Sequence, residues 1–224
     1  MDVFSDPANV DVYVTGFLWI LKLTLTSAAF ALVVGVLLAA MRVSPVPVLR
    51  GFGTAWINIF RNTPLTLIIF FCYFGLFSTL GVKLSNNIDR NNFWLGVVGL
   101  STYTAAFVCE AIRSGINTVP AGQAEAARAI GMSFRQTLTM IVLPQAGRAV
   151  VAPLGSIFIA LAKNSTIVGT IGLAESSSAM KDLINSRGDA VIPIFLAFAG
   201  TFAIVLIPTG YLFGAVANRL AVKR

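Results

Sequence analysis

Five long apolar runs, separated by short polar or proline-marked gaps, organise this chain. They cover roughly residues 14–41, 56–80, 93–113, 149–173 and 190–217. Each is long enough, and poor enough in charge, to cross a hydrocarbon core of about 30 Å. The runs do not alternate with period two as barrel strands do. The pattern therefore predicts helices, which satisfy their backbone groups within the segment. Ser44-Pro45-Val46-Pro47 stops the first helix, because proline lacks an N–H and disrupts a helix interior. Arg61-Asn62-Thr63-Pro64 stands at the start of the second, or a turn or so inside it. The third ends before Val119-Pro120.

Composition agrees with the pattern. Of 224 residues, 57% are hydrophobic and 11% charged, and the mean hydropathy is +0.85. A soluble domain of that composition would expose large apolar patches. The expected class is an all-α, polytopic membrane protein with five transmembrane helices, residues 1–224 forming one membrane domain. The chain has no histidine, so His-based catalysis and His–metal sites are excluded. Cys72 and Cys109 lie in apolar runs and read as small core residues, with no disulfide or metal framework. Asp2, Asp6 and Asp11 precede any basic residue, the opposite of a signal peptide's start.

The net charge of +7 bears on orientation before nucleic acid, for which nothing else speaks. With the N terminus outside, Arg42, Arg50, Arg61, Arg113, Arg128, Arg135, Arg148, Arg219, Lys223 and Arg224 face the cytoplasm. Lys83, Arg90, Lys181 and Arg187 stay outside, diluted by Asp89, Glu175, Asp182 and Asp189. The count favours N-out, C-in.

Between the third and fourth spans lies a helix-friendly stretch that is not itself a span, about residues 119–145. It contains "EAARAIGMSFRQTLTMIVLP", Glu125 to Pro144. Pro120 opens a first short helix, Ala121 to Ile130. Gly131 permits a sharp bend. Ser133 caps a second helix, Phe134 to Leu143, which Pro144 ends. The apolar stripes are Ala126, Ala127 and Ile130, then Phe134, Leu138 and Ile141. Small residues on a short helix suit a partner's groove; Phe134, Arg128 and Arg135 equally suit a helix lying on lipid headgroups.

The spacing goes further. Glu125-Ala126-Ala127, three residues, Gly131, nine residues, Ile141, one residue, Leu143-Pro144 resembles the EAA loop of ABC importer permeases. The resemblance implies that the loop is a coupling element seated in a cleft of a cytoplasmic ATPase subunit. In that family the alanines admit the helix to the cleft and the glutamate makes polar contacts. The chain has no G-x-x-x-x-G-K-[ST] phosphate loop. The resemblance therefore implies no cofactor in this chain and a partner that uses ATP and Mg, so the chain is not itself an enzyme.

Other stretches narrow the family. "FRNTPLTLIIFFCYFG" (Phe60–Gly75), "YTAAFVCEAIRSGINTVPAGQAEAARAIG" (Tyr103–Gly131) and "LGSIFIALAKNSTIVGTIGLAE" (Leu154–Glu175) resemble permeases of the polar amino-acid family, and within it the actinobacterial glutamate permeases. The resemblance implies the type I importer permease fold, a core of five helices paired with a second permease chain about a pseudo-two-fold axis. That second chain is related but different in the glutamate systems; a homodimer is the alternative. An extracytoplasmic amino-acid-binding protein would deliver cargo at the bacterial cytoplasmic membrane.

Polar residues inside the spans are the remaining candidates. Lys163 lies fifteen residues from Arg148, about 22 Å along a helix at 1.5 Å per residue. A lysine at that depth requires water, a partner or an anion. With Asn164, Ser165 and Thr166, and with Gly169 and Gly172 able to loosen the helix, it is a candidate for the substrate path. The alternative is that Lys163 snorkels outward or pairs with a loop carboxylate. Glu110 and Arg113, three apart, suit a structural ion pair on one helix face, or a gate element. Arg61 and Asn62 stand at the mouth of the second span as further path candidates. Two other readings carry less. A secondary transporter would use a mid-span carboxylate, which is not found; a membrane enzyme would need a reactive pair, and Ser156 and Lys163 are two turns apart.

Overall fold

The computed structural model describes residues 3–220; Asp2, named above for the start of the chain, and Lys223 and Arg224, counted above for orientation, lie outside them. Every element among the described residues is helical. Helix α1 is Pro7–Val43, α2 is Pro47–Asn62 and α3 is Leu65–Thr79. Then come α4, Ile88–Asn117, α5, Ala121–Ala129, α6, Phe134–Ile171, α7, Ser176–Ser186, and α8, Gly188–Leu220. Four of these, α1, α4, α6 and α8, are long and apolar enough to cross a membrane alone; α2 and α3 together make the fifth span. This is an all-α, multi-pass membrane protein.

Two of the expected helix boundaries require correction. The second span is not one helix over 56–80. The chain bends by 106° between α2 and α3. Thr63 is extended, at φ −101° and ψ 130°, because the residue before a proline is excluded from the helical region. Pro64 offers no N–H to carry the ladder across. Nor does Pro144 end the helix that begins at Phe134. Residues Thr137–Val142 form wider turns, in which the Leu143 N–H donates to the Leu138 carbonyl five residues back. The widened turn makes room for the Pro144 ring and removes the need for its missing donor. Helix α6 therefore runs unbroken from the loop into the membrane.

Helix α4 is the centre of the bundle. Leu95, Leu100, Ala105, Val108 and Cys109 have no exposed surface, and Cys72 and Cys109 are both buried free thiols. Helix α1 crosses α4 closely because Gly35 lacks a side chain: a Cβ there would stand 2.5 Å from Val108 Cγ1. Leu38, Ala39 and Ile57 join Ala105, Ala106 and Cys109 where α1, α2 and α4 meet. Helix α8 lies at the edge. It buries Ile194 and Phe198 and turns Ile192, Ile204 and Tyr211 outward.

The bundle has two distinct ends. At one, Tyr13 of α1 meets Phe198 of α8 edge-on at 4.8 Å. There α7 rests on Gly16, where a Cβ would come within 2.8 Å of Ala179. At the other end, α4 and α6 converge on α5. Gly115 accepts Val150 there; a Cβ would lie 2.2 Å from its Cγ2. That contact frames the loop between the third and fourth spans.

Candidate functional site

The loop is a built structure. Helix α5 ends in paired closing bonds: Met132 N donates to Ala127 O at 3.1 Å and Gly131 N to Arg128 O at 3.0 Å. This is the six-to-one and five-to-two pattern that needs a left-handed residue just past the helix. Gly131 supplies it, at φ +89°, a conformation that costs a side-chain-bearing residue about 1–2 kcal/mol. The next helix then starts on a reciprocal cap. Ser133 Oγ accepts from Gln136 N at 3.3 Å, and Ser133 N donates to Gln136 Oε1 at 2.8 Å. A side-chain bond from Gln145 Nε2 to Gln123 Oε1, 2.7 Å, ties α5 to the base of α6.

This geometry divides the loop into an inner and an outer face. Ala127 and Thr137 are buried, and Ile141 is partly covered. Glu125, Ala126, Leu143 and Pro144 are exposed. So are three large apolar side chains, Ile130 at 81%, Phe134 at 70% and Met140 at 67%. Of the expected stripes, Ala127, Leu138 and Ile141 turn inward, whereas Ile130 and Phe134 face out. Helix α5 thus presents a small-residue surface with an apolar rim and a carboxylate, Glu125.

Two turns before the end of α4, Glu110 is held by two arginines. Arg113 Nε donates to Oε1 at 2.9 Å. Arg42, at the end of α1, donates to Oε2 at 2.6 Å. The ends of α1 and α4 are joined through one carboxylate. The Arg42 stem also lies over Gly53 of α2, where a Cβ would be 2.8 Å from its Cγ. Arg42 was not legible as a partner because 68 residues separate it from Glu110.

The four residues Lys163–Thr166 do not form one cluster. Lys163 is exposed, beside Thr166 and Phe202, in a shallow cleft of about 530 Å³ between α6 and α8. Asn164 faces a different cleft, about 240 Å³, between α6 and α4, with Tyr103, Phe107 and Ser156. Ser165 is fully buried, 3.1 Å from Thr24 Oγ1 of α1. Thr166 Oγ1 donates to the Lys163 carbonyl at 2.8 Å. The helix tightens over Ser165–Ile171 and stops at Gly172, φ +84°. Arg61 stands at the break between α2 and α3, its guanidinium 5.7 Å from the Phe107 ring. It therefore neighbours the Asn164 cleft and not Lys163. Asn62 is exposed and donates to Asn58 O at 2.7 Å.

Glu175, counted above with the carboxylates of the outside loops, is enclosed by the fold. It is 0% exposed and sits at the start of α7, accepting from Ser177 N at 2.8 Å and Ser178 N at 3.1 Å. Burial pushes its carboxyl above the ordinary range, while the serine donors and Lys181 pull the other way. The signal in the sequence was local: a carboxylate directly before Ser176-Ser177-Ser178, where a helix N-cap is expected.

The fold is thus a multi-pass membrane bundle with a closed, exposed helix between its third and fourth spans. Residues 31–222 match the family described as the binding-protein-dependent transport system inner membrane component, and the chain belongs to that family. Over 212 residues it is 47% identical to the glutamate transport system permease protein GluC of Corynebacterium glutamicum, covering 92% of this chain and 93% of that one. It is 39% identical over 201 residues to a probable glutamine ABC transporter permease protein, GlnM, of Bacillus subtilis, covering 89% of each. The crystal structure of an amino acid ABC transporter with histidines superimposes with a TM-score of 0.86 at 27% identity, over 98% of this chain and 99% of that one.

Proposed function

We propose that this chain is the membrane-spanning permease subunit of an ATP-driven importer of polar amino acids, with glutamate as its cargo. The observation that carries the reading is the closed α5 loop, exposed at Glu125, Ala126 and Ile130 and tied to the base of α6, in a chain of this family. The glutamate assignment draws on the likeness to GluC along 92% of the chain.

In this reading the chain sits in the bacterial cytoplasmic membrane with its N terminus outside. Helix α5, with Glu125, Ala126, Ala127 and Gly131, docks in a cleft of an ATPase subunit; Ile141, Leu143 and Pro144 form the base that carries its motion into α6. ATP and Mg are used by that partner. A second permease chain, related but not identical, completes the path, and an extracytoplasmic binding protein delivers the amino acid. Lys163 with Thr166 beside it, and Asn164 with Arg61 beside it, line the route, with Ser165 and Asn62 supporting. Two cations near the route, Arg61 and Lys163, suit an anionic cargo. The Glu110 bridge is structural, joining α1 to the helix that leads into α5.

The test is uptake of labelled glutamate in cells with the gene deleted and restored, with unlabelled amino acids as competitors. The expected result is uptake lost on deletion, recovered on restoration, and competed by acidic amino acids. Unchanged glutamate uptake together with loss of a basic or amide amino acid overturns the cargo assignment.

A further inference from the structure

Glu175 is a fully buried carboxylate with no part in the route described above. Three polar groups of the first turn of α7 gather over Gly169 of α6. A Cβ at Gly169 would lie 2.3 Å from Glu175 Oε1, 2.7 Å from Ser178 Oγ and 3.1 Å from Ser177 Oγ. Glycine is therefore required for this approach. The Ser177 hydroxyl lies in hydrogen-bonding contact with Glu175 Oε1 and 3.2 Å from the Thr166 carbonyl. It holds one proton, which goes to the Thr166 carbonyl when the buried Glu175 carboxyl is protonated and itself donates to Ser177 Oγ.

From Thr166 the connection continues. Its own Oγ1 donates to the Lys163 carbonyl, and its side chain shares the cleft with Lys163. Glu175, Ser177, Thr166 and Lys163 thus form an unbroken chain of contacts from α7 into the turn that presents Lys163. Helix α7 is itself seated on α1, through Ala179 and Ser176 against Gly16.

We infer that Glu175 and Ser177 are positioning residues, which fix the turn of α6 carrying Lys163 and Asn164 by clamping the Thr166 carbonyl to the start of α7. Neither touches cargo; both act through the Thr166 backbone. The transport arm of this inference rests on the function proposed above, whereas its geometric arm does not.

The test uses the complete transporter, with its ATPases and binding protein, in liposomes. Ser177→Ala removes the clamp and leaves the carboxylate cap of α7 in place. Ser177→Thr keeps a hydroxyl. Lys163→Cys, in a chain whose native thiols are both buried, reports the turn through its rate of labelling by a water-soluble maleimide. The expected result is that Ser177→Ala changes the labelling rate and the KM for glutamate uptake by about three- to tenfold, the worth of one hydrogen bond. ATP turnover stays as in the parent, and Ser177→Thr restores both readings. Labelling unchanged by Ser177→Ala overturns the inference. If the parent transporter carries no glutamate, the cargo assignment fails, and the labelling rate still settles the clamp.

Discussion

Gly131 shows how much one residue constrains the loop. Its φ of +89° lets two N–H groups return to the carbonyls of Ala127 and Arg128, which fixes the direction in which α5 leaves. No atom stands within 4 Å of a Cβ built there, so the cost of a substitution is backbone strain and not crowding. Gly131→Val should therefore leave the bundle intact but distort the loop, at a cost of about 1–2 kcal/mol. The expected outcome is normal permease abundance with several-fold less ATPase co-purifying on a tagged permease. Full co-purification with full transport would show that the left-handed turn is dispensable. Gly131 was legible from sequence because its reason is local, as were the caps at Ser133 and Pro120. The dispersal of Lys163, Asn164 and Ser165 onto three surfaces was not. Successive residues of a helix point to different sides, and which side meets α8, α4 or α1 is set by the packing of those distant helices.

At the scale of elements, the ends of α1 and α4 are joined where Arg42 and Arg113 share Glu110. All three side chains are partly covered, so the bonds are charge-assisted and only modestly screened. Glu110→Gln leaves two arginines competing for a neutral amide. A double-mutant cycle pairing Arg42→Met with Glu110→Gln should show a coupling energy of about 1–3 kcal/mol in the stability of the purified permease; additive effects would mean that the bridge contributes nothing between helices. Half of this node was readable, since Glu110 and Arg113 lie three apart on one helix. The Arg42 half depends on how α1 crosses α4 at Gly35. The α2–α3 break was read as a helix start, because Thr63-Pro64 forbids continuation in either direction while the apolar run hides the helix that precedes it. The continuation through Pro144 was misread for the opposite reason: a proline that should stop a helix is accommodated by the wide turns of Thr137–Val142, held where the buried Thr137 packs under α5.

For the whole molecule, the alternating course of the four long helices sets Arg42, Arg113 and Arg219 at the end that carries α5, and Tyr13 and α7 at the other. Basic residues crowd the α5 end, and the function proposed above sets that end in the cytoplasm, as the excess of Lys and Arg favours. A fluorescent protein joined after Arg224 should therefore fluoresce, and alkaline phosphatase joined at the same place should be inactive. The reverse pair of results would invert the topology and place α5 out of reach of any ATPase. Helix α6 has a further consequence. It runs as one rod of 38 residues, held near its middle where Val150 fits against Gly115. Thirteen residues separate Val150 from Thr137 on one side and thirteen separate it from Lys163 on the other, about 20 Å each way. Such a rod is a lever with nearly equal arms. A sideways push of a few ångströms delivered to its loop end would emerge at Lys163 with similar size and opposite sense, carrying α7 along through the Thr166–Ser177 contact; equal arms pass a stroke on without multiplying it.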